Sequence, residues 1–114
     1  MMNIYGFGNA LIDVEFLITD EELKEIGIPK GGMKNISSKK KDHFLTRFQE
    51  KEISRTSGGS IANSLCAAAS QGAAGAFSCS IGNDKDGKEF LDSISNLEVF
   101  SKYSSQPTGV CIVF

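Results

Sequence analysis

Ser57-Gly58-Gly59-Ser60-Ile61-Ala62-Asn63-Ser64 constrains this chain more than any other segment. A β-rich run, Glu52-Ile53-Ser54-Arg55-Thr56, precedes it, and an apolar, alanine-rich helical pattern comes after it. Two adjacent glycines at a strand-to-helix turn let the backbone bend sharply and let a ligand approach it closely. The helix beyond the turn aims its free N–H groups back at it. Asn63 falls in the first helical turn, where its amide can donate and accept toward the same space. A polyhydroxylated ligand suits such a turn. A tight turn with Asn63 as a local capping group accounts for the same residues without a ligand, so the flanking sequence must decide.

Composition narrows the field. A length of 114 residues suffices for one modest domain, and 40% hydrophobic with 23% charged residues is ordinary for a soluble globular protein. A net charge of −2 points to no nucleic-acid partner, and Lys39-Lys40-Lys41 reads as a solvated helix start. No apolar run reaches the ~18 residues of a membrane span, and no basic segment followed by an apolar core opens the chain. A reducing, cytoplasmic setting is therefore the expectation. Cys66, Cys79 and Cys111 are far apart and form no C-x-x-C pair, so disulfide and metal roles are not expected. His43, the lone histidine, lies between Asp42 and Phe44 on a helix surface, which argues against Ser-His-Asp and Cys-His nucleophile chemistry.

Strands are expected over Asn3–Phe7, Val14–Ile18, Met33–Ile36, Ile53–Thr56, Ala74–Ile81, Leu97–Phe100 and Val110–Phe114. Helices are expected from Thr19 to before Gly27, from Ser37 or Ser38 to about Gln49, and from Ser60 to about Ser70 with Gly72 as the stop. A further helix opens at Asp86-Gly87-Lys88-Glu89 in capping-box style, burying Phe90, Leu91 and Ile94. Strand and helix alternate from Gly59 to Phe100, which argues for an α/β layer architecture. Strands 14–18, 33–36 and 110–114 fit that alternation less well and read as a separate small β element. The terminal run Gly109-Val110-Cys111-Ile112-Val113-Phe114 is an apolar strand with no polar ending. Such an edge invites association unless something covers it, so the expectation is a piece of a longer protein.

The order of features resembles the ribokinase-like (PfkB) carbohydrate kinase family, and within it the adenosine-kinase-like branch. Gly8-Asn9-Ala10-Leu11-Ile12-Asp13 is similar to the family's opening G-N-x-x-x-D, and Lys30-Gly31-Gly32-Met33 to its lid approach. Gly58-Gly59-Ser60-x-x-Asn63, with Gly72 and Gly82 following at the expected spacing, resembles the glycine–asparagine signature. Gly82-x-Asp84-x-x-Gly87 resembles a further motif, and Pro107-Thr108-Gly109-Val110-Cys111 the strand that returns to the lid. Ile61 and Leu65 stand where the signature has small residues, a departure similar to what nucleoside-kinase members tolerate. The match covers the whole chain but only the N-terminal third of the family's length.

The resemblance implies a three-layer α/β core with a small β-sheet lid, and ATP-dependent phosphoryl transfer to a primary hydroxyl of a sugar or nucleoside. ATP and Mg²⁺ would be bound mainly by segments outside this chain, as would the catalytic aspartate. Asp13 is then expected to hold a vicinal diol, since a carboxylate accepts two hydrogen bonds at once. Asn63 would contact the same hydroxyls, and Gly58 and Gly59 would give backbone contacts and a hinge for the lid. Asn9 is a further candidate, although asparagine after glycine also suits a plain turn. Met33, Leu11 and Cys111 would line the pocket, with simple core packing as the alternative for each. Asp84 is read as capping the helix beginning near Lys85. The resemblance admits a homodimer through the lid, as in some relatives.

Two other readings compete. A non-catalytic fragment or truncated product is compatible with the same family, and these 114 residues alone are expected to be inactive. A dinucleotide-binding module built on Gly6-x-Gly8 fails on detail, because Leu11 occupies the third glycine position and the run after it is strand-like. No G-x-x-x-x-G-K-[S/T] phosphate loop occurs in the sequence.

Overall fold

The structure, a computed structural model, describes residues 3–114. Its elements run β1 (Asn3–Phe7), β2 (Leu11–Phe16), α1 (Asp20–Glu25), α2 (Ser38–Arg47), β3 (Glu52–Gly58), α3 (Ser60–Ser70), β4 (Ala74–Gly82), α4 (Lys85–Ser93), β5 (Glu98–Ser104) and β6 (Gly109–Val113). A 3₁₀ turn at Gln49–Lys51 leads into β3. Among the described residues these strands form two sheets, ordered β1-β4-β5 and β3-β2-β6. The chain divides into one unit of residues 1–13 and 56–111 and another of 14–55 and 112–114. Each strand of the second sheet contributes residues to both. No helix among the described residues is long and apolar enough to cross a membrane.

The larger unit holds the parallel sheet, in which Gly6 pairs with Phe77 and Phe77 with Val99. Pairing of this kind needs crossover connections, which the α3 and α4 segments supply. Both helices lie on one face. Gly6 lies against Ile61 and Leu65 of α3, and Phe77 meets Phe90 of α4 at a ring separation of 6.1 Å. Leu65, Phe77, Ile81, Phe90 and Ile94 are buried there, as the helical spacing of Leu65, Phe90 and Ile94 predicts. The opposite face carries the rows Tyr5–Ala76–Glu98 and Phe7–Ser78–Phe100. Tyr5, Phe7 and Phe100 are exposed, and the Tyr5 hydroxyl shares a 2.5 Å hydrogen bond with that of Ser78.

The smaller unit is built on an aromatic cluster. The Phe114 ring lies edge-on to Phe44 at 5.7 Å and to Phe48 at 5.4 Å, and Phe16 packs beside Phe48 at 6.2 Å. Both helices of this unit start on a side-chain cap. The Thr19 hydroxyl accepts from the Glu22 N–H while the Glu22 carboxylate accepts from the Thr19 N–H, a full capping box. The Ser37 hydroxyl accepts from the Lys40 N–H at the start of α2.

Several boundaries differ from expectation. Met33–Ile36 forms no strand, and Met33 is 94% exposed. Its alternating pattern has no neighbouring ladder to join, and β propensity without a partner and a buried face does not make a strand. β2 begins at Leu11 rather than Val14, because Asp13 interrupts the apolar run without interrupting the backbone ladder. Helix α4 is capped by Asp84 as the sequence suggests, its carboxylate accepting from the Gly87 N–H at 2.8 Å, so the expected box starting at Asp86 does not open it. β5 extends through Ser104, past the expected end at Phe100.

Candidate functional site

Strand β2 alternates cleanly. Ile12, Val14 and Phe16 are buried, whereas Leu11 and Asp13 are half-buried and Glu15 is exposed. Period-two geometry therefore places Leu11 and Asp13 together on the more open face of the second sheet. Three neighbours meet them there. A Cβ at Gly58 of β3 would stand 2.6 Å from the Asp13 carboxyl carbon and 2.7 Å from Oδ1, so the carboxylate lies directly on the Gly58 backbone. A Cβ at Gly109 of β6 would stand 2.5 Å from Leu11 Cδ2. Two residues further along β6, the Cys111 thiol is pushed up by burial and, in addition, by the negative charge of Asp13.

The turn at the end of β3 closes the site. Gly59 has φ of +103°, a conformation that L side chains rarely adopt, and a Cβ there would stand 2.7 Å from the Asn9 carbonyl oxygen. Asn9 and Gly59 are thus packed backbone to backbone, which brings the β1–β2 turn against the start of α3. Gly59 also occupies the N-cap position of α3, so no side chain caps that helix, in contrast to Thr19, Ser37 and Asp84 at the other three. The Gly59 carbonyl accepts from the Asn63 N–H at 2.9 Å, while Asn63 itself is exposed. A carboxylate that accepts hydrogen bonds, an open helix N-terminus that donates them, and an exposed amide that does both thus surround one turn.

Of the residues singled out in sequence, Asp13, Gly58, Gly59, Asn9, Leu11 and Cys111 come together. Asn63 lies on the first turn of α3. Met33 lies in the smaller unit, exposed and outside its core. Asp84 is occupied by helix capping. Thr108, which enters the sequence reading only as part of the Pro107–Cys111 strand motif and with no role of its own, is the residue that accompanies it. Thr108 is 4% exposed, donates its N–H and its hydroxyl to Asp84 at 2.9 and 2.7 Å, and accepts from the Gly82 N–H at 2.9 Å. Its one sequence signal is a hydroxyl set between Pro107 and Gly109, far along the chain from its partners.

Gly6 and Gly8 have a packing role. A Cβ at Gly6 would stand 2.6 Å from Ile61 and one at Gly8 3.3 Å from the same side chain, so these glycines let α3 approach β1. The next element along the chain is strand β2, not the helix a dinucleotide fold requires. A cleft of about 250 Å³ lies at the opposite end of the parallel sheet, lined by Asn3, Tyr5, Ala74, Ala76 and Glu98. It sits at the N-terminal strand ends, away from the carboxyl ends where open α/β sheets bind ligands. Among the described residues no three His, Cys, Asp or Glu side chains stand together as a metal site.

The strand–Gly-Gly–helix turn with a carboxylate laid on it sits within an α/β fold. Residues 32–114 match the pfkB family of carbohydrate kinases, and the chain belongs to that family. No curated protein sequence matches it. Its structure is similar to that of adenosine kinase from Sinorhizobium meliloti, with 25% identity and a TM-score of 0.81 over 96% of this chain and 34% of that one. Adenosine kinase from Trypanosoma brucei brucei superposes with a TM-score of 0.82 at 21% identity, over 96% of this chain and 36% of that one. Anopheles gambiae adenosine kinase, solved with P1,P4-di(adenosine-5) tetraphosphate, gives 0.80 at 23% identity and the same two shares, 96% and 36%. The α/β fold is therefore that of the adenosine kinases, and the chain spans about a third of their length.

Proposed function

We propose that this chain supplies the acceptor-binding face of an ATP-dependent kinase that phosphorylates a primary hydroxyl of a sugar or nucleoside. The observation that carries this reading is the Asp13 carboxylate lying on Gly58, beside the Asn9–Gly59 contact and the uncapped start of α3. Asp13 accepts from two adjacent hydroxyls of the acceptor, the Asn63 amide bonds to the same hydroxyls, and Leu11 and Cys111 form the wall on the β6 side. A small β lid closes over that acceptor, and closure excludes water from the transfer. ATP and Mg²⁺ would be held mainly by segments outside these residues and would supply the phosphoryl group, while the residues here hold and orient the hydroxyl that receives it. The 114 residues alone are expected to transfer no phosphate to any acceptor.

Calorimetric titration with adenosine, ribose and fructose tests this. Asp13→Ala is expected to weaken the best of these ligands by about 2–4 kcal/mol, the scale for stranding buried hydrogen-bonding partners. Affinity equal to that of the unsubstituted chain would remove Asp13 from the site.

A further inference from the structure

We infer that Asp84 and Thr108 form a positioning clamp that fixes where β6 begins and thereby seats Cys111 beside Asp13. Neither residue touches the acceptor. The clamp's functional consequence rests on the reading of Asp13 as the acceptor's carboxylate, whereas the clamp itself stands on geometry alone.

Thr108 immediately precedes Gly109, the first residue of β6. Among the described residues it is the buried polar one, at 4% exposure, and a buried hydroxyl without partners would be costly. All of its hydrogen-bonding capacity toward the α4 end is used. Its hydroxyl donates to Asp84 Oδ1 at 2.7 Å and accepts from the Gly82 N–H at 2.9 Å, and its N–H donates to Asp84 Oδ2 at 2.9 Å. Asp84 Oδ1 also accepts from the Gly87 N–H at 2.8 Å, so one carboxylate joins the helix cap to the strand entry. The space is filled to the atom. A Cβ at Gly87 would stand 2.9 Å from the Thr108 hydroxyl and 2.5 Å from the Gly82 carbonyl oxygen. The clamp therefore binds the end of β4, the start of α4 and the start of β6 into one rigid node.

That node sets the register of β6. Gly109 seats against Leu11 and Phe114 packs on Phe16 at 5.9 Å, the same offset at both ends of the pair, so Cys111, two residues on from Gly109 and on the same face, falls beside Asp13. A one-residue slip would turn Cys111 away and present its neighbour instead. The clamp thus sets the third wall of the acceptor site from a distance, through strand register.

Cys111 reports on this arrangement directly. Site-resolved mass spectrometry of iodoacetamide labelling across pH measures the alkylation profile of each cysteine in the full chain. Thr108→Val removes the hydroxyl while keeping the shape, and is expected to shift the Cys111 profile along the pH axis, because a change of β6 register takes the thiol away from Asp13 and changes its burial. Asp84→Ala is expected to act in the same direction, and Thr108→Ser to restore the original profile. Cys79 on β4, whose thiol burial also pushes up, serves as the control and is expected to stay unchanged. An unchanged Cys111 profile in Thr108→Val overturns the clamp. So does an equal shift of Cys79, since the network would then hold the whole unit and not β6 in particular. Adenosine titration of Asp13→Ala separates the two readings: unaltered adenosine affinity with the expected Cys111 shifts removes the acceptor role of Asp13 and leaves the clamp.

Discussion

A methyl group on Gly58 would stand 2.6 Å from the Asp13 carboxyl carbon, and one on Gly59 would stand 2.7 Å from the Asn9 carbonyl oxygen. The two clashes look alike but differ in what can give way. Asp13 is a side chain and can swing aside. The Asn9 carbonyl is backbone, and Gly59 also needs its φ of +103°. Gly58→Ala is therefore expected to cost less than about 1 kcal/mol of stability, the clash being partly offset by the lower chain entropy of alanine, while acceptor binding falls. Gly59→Ala is expected to cost about 1–3 kcal/mol through backbone strain alone. Urea denaturation of both variants checks the order, and a larger loss for Gly58→Ala would mean that Asp13 is held rigidly in place. These glycines are legible in the sequence because their chemistry is local, a turn and a helix start, whereas Asp13 and Asn9 are marked only by the resemblance to the family's G-N-x-x-x-D. Thr108 is not legible, because its meaning comes from Gly82 and Asp84, which only the fold brings to it.

At the level of elements, helix starts are legible wherever one side chain does the capping, and strands only where a partner ladder exists. Thr19 and Ser37 announce α1 and α2. Met33–Ile36 has a strand's alternation and forms none, since alternation says which face is apolar and not what would cover it. The α1 cap carries a pH dependence whose sign comes from its surroundings. The Lys51 ammonium, bonded to the Glu22 carboxylate at 2.5 Å, holds that carboxyl below its ordinary value of 4.5, and the Thr19 N–H lowers it further. A carboxyl depressed in the folded state adds stability that is fully present above the ordinary value and is lost as pH falls through the lower, folded one. Amide protection of Leu23 and Ile26, which donate to the Thr19 and Glu22 carbonyls, is therefore expected to weaken as pH drops below 4.5. Glu22→Gln should start from lower protection and lose this acid step. Hydrogen exchange followed by NMR, expressed as protection factors, is the measurement. An acid step that persists in Glu22→Gln would assign it to another carboxylate.

Across the whole molecule, the parallel sheet presents two unlike faces, and their energetics should differ as sharply as their exposure. Phe77 is 0% exposed against α3 and α4, whereas Phe7, in the next row of the same sheet, is 77% exposed on the far face. Parallel sheets are ordinarily covered on both sides, because their crossover helices lie there. Here the far face keeps Tyr5, Phe7 and Phe100 in solvent, in a chain that spans about a third of the adenosine kinases it resembles. Phe77→Ala is expected to cost about 3–5 kcal/mol, the usual figure for emptying a buried aromatic site, which is a large share of the stability of a domain this size. Phe7→Ser is expected to change stability by no more than about 0.5 kcal/mol, as for an ordinary surface substitution. Urea denaturation at several protein concentrations distinguishes the cases. A large loss in Phe7→Ser that grows with protein concentration would mean the aromatic row is covered by a second copy in solution. A large loss independent of concentration would mean that the row packs within the chain. The small, concentration-independent change is the outcome that agrees with two faces built for different purposes, one for folding this chain and the other contributing nothing to it.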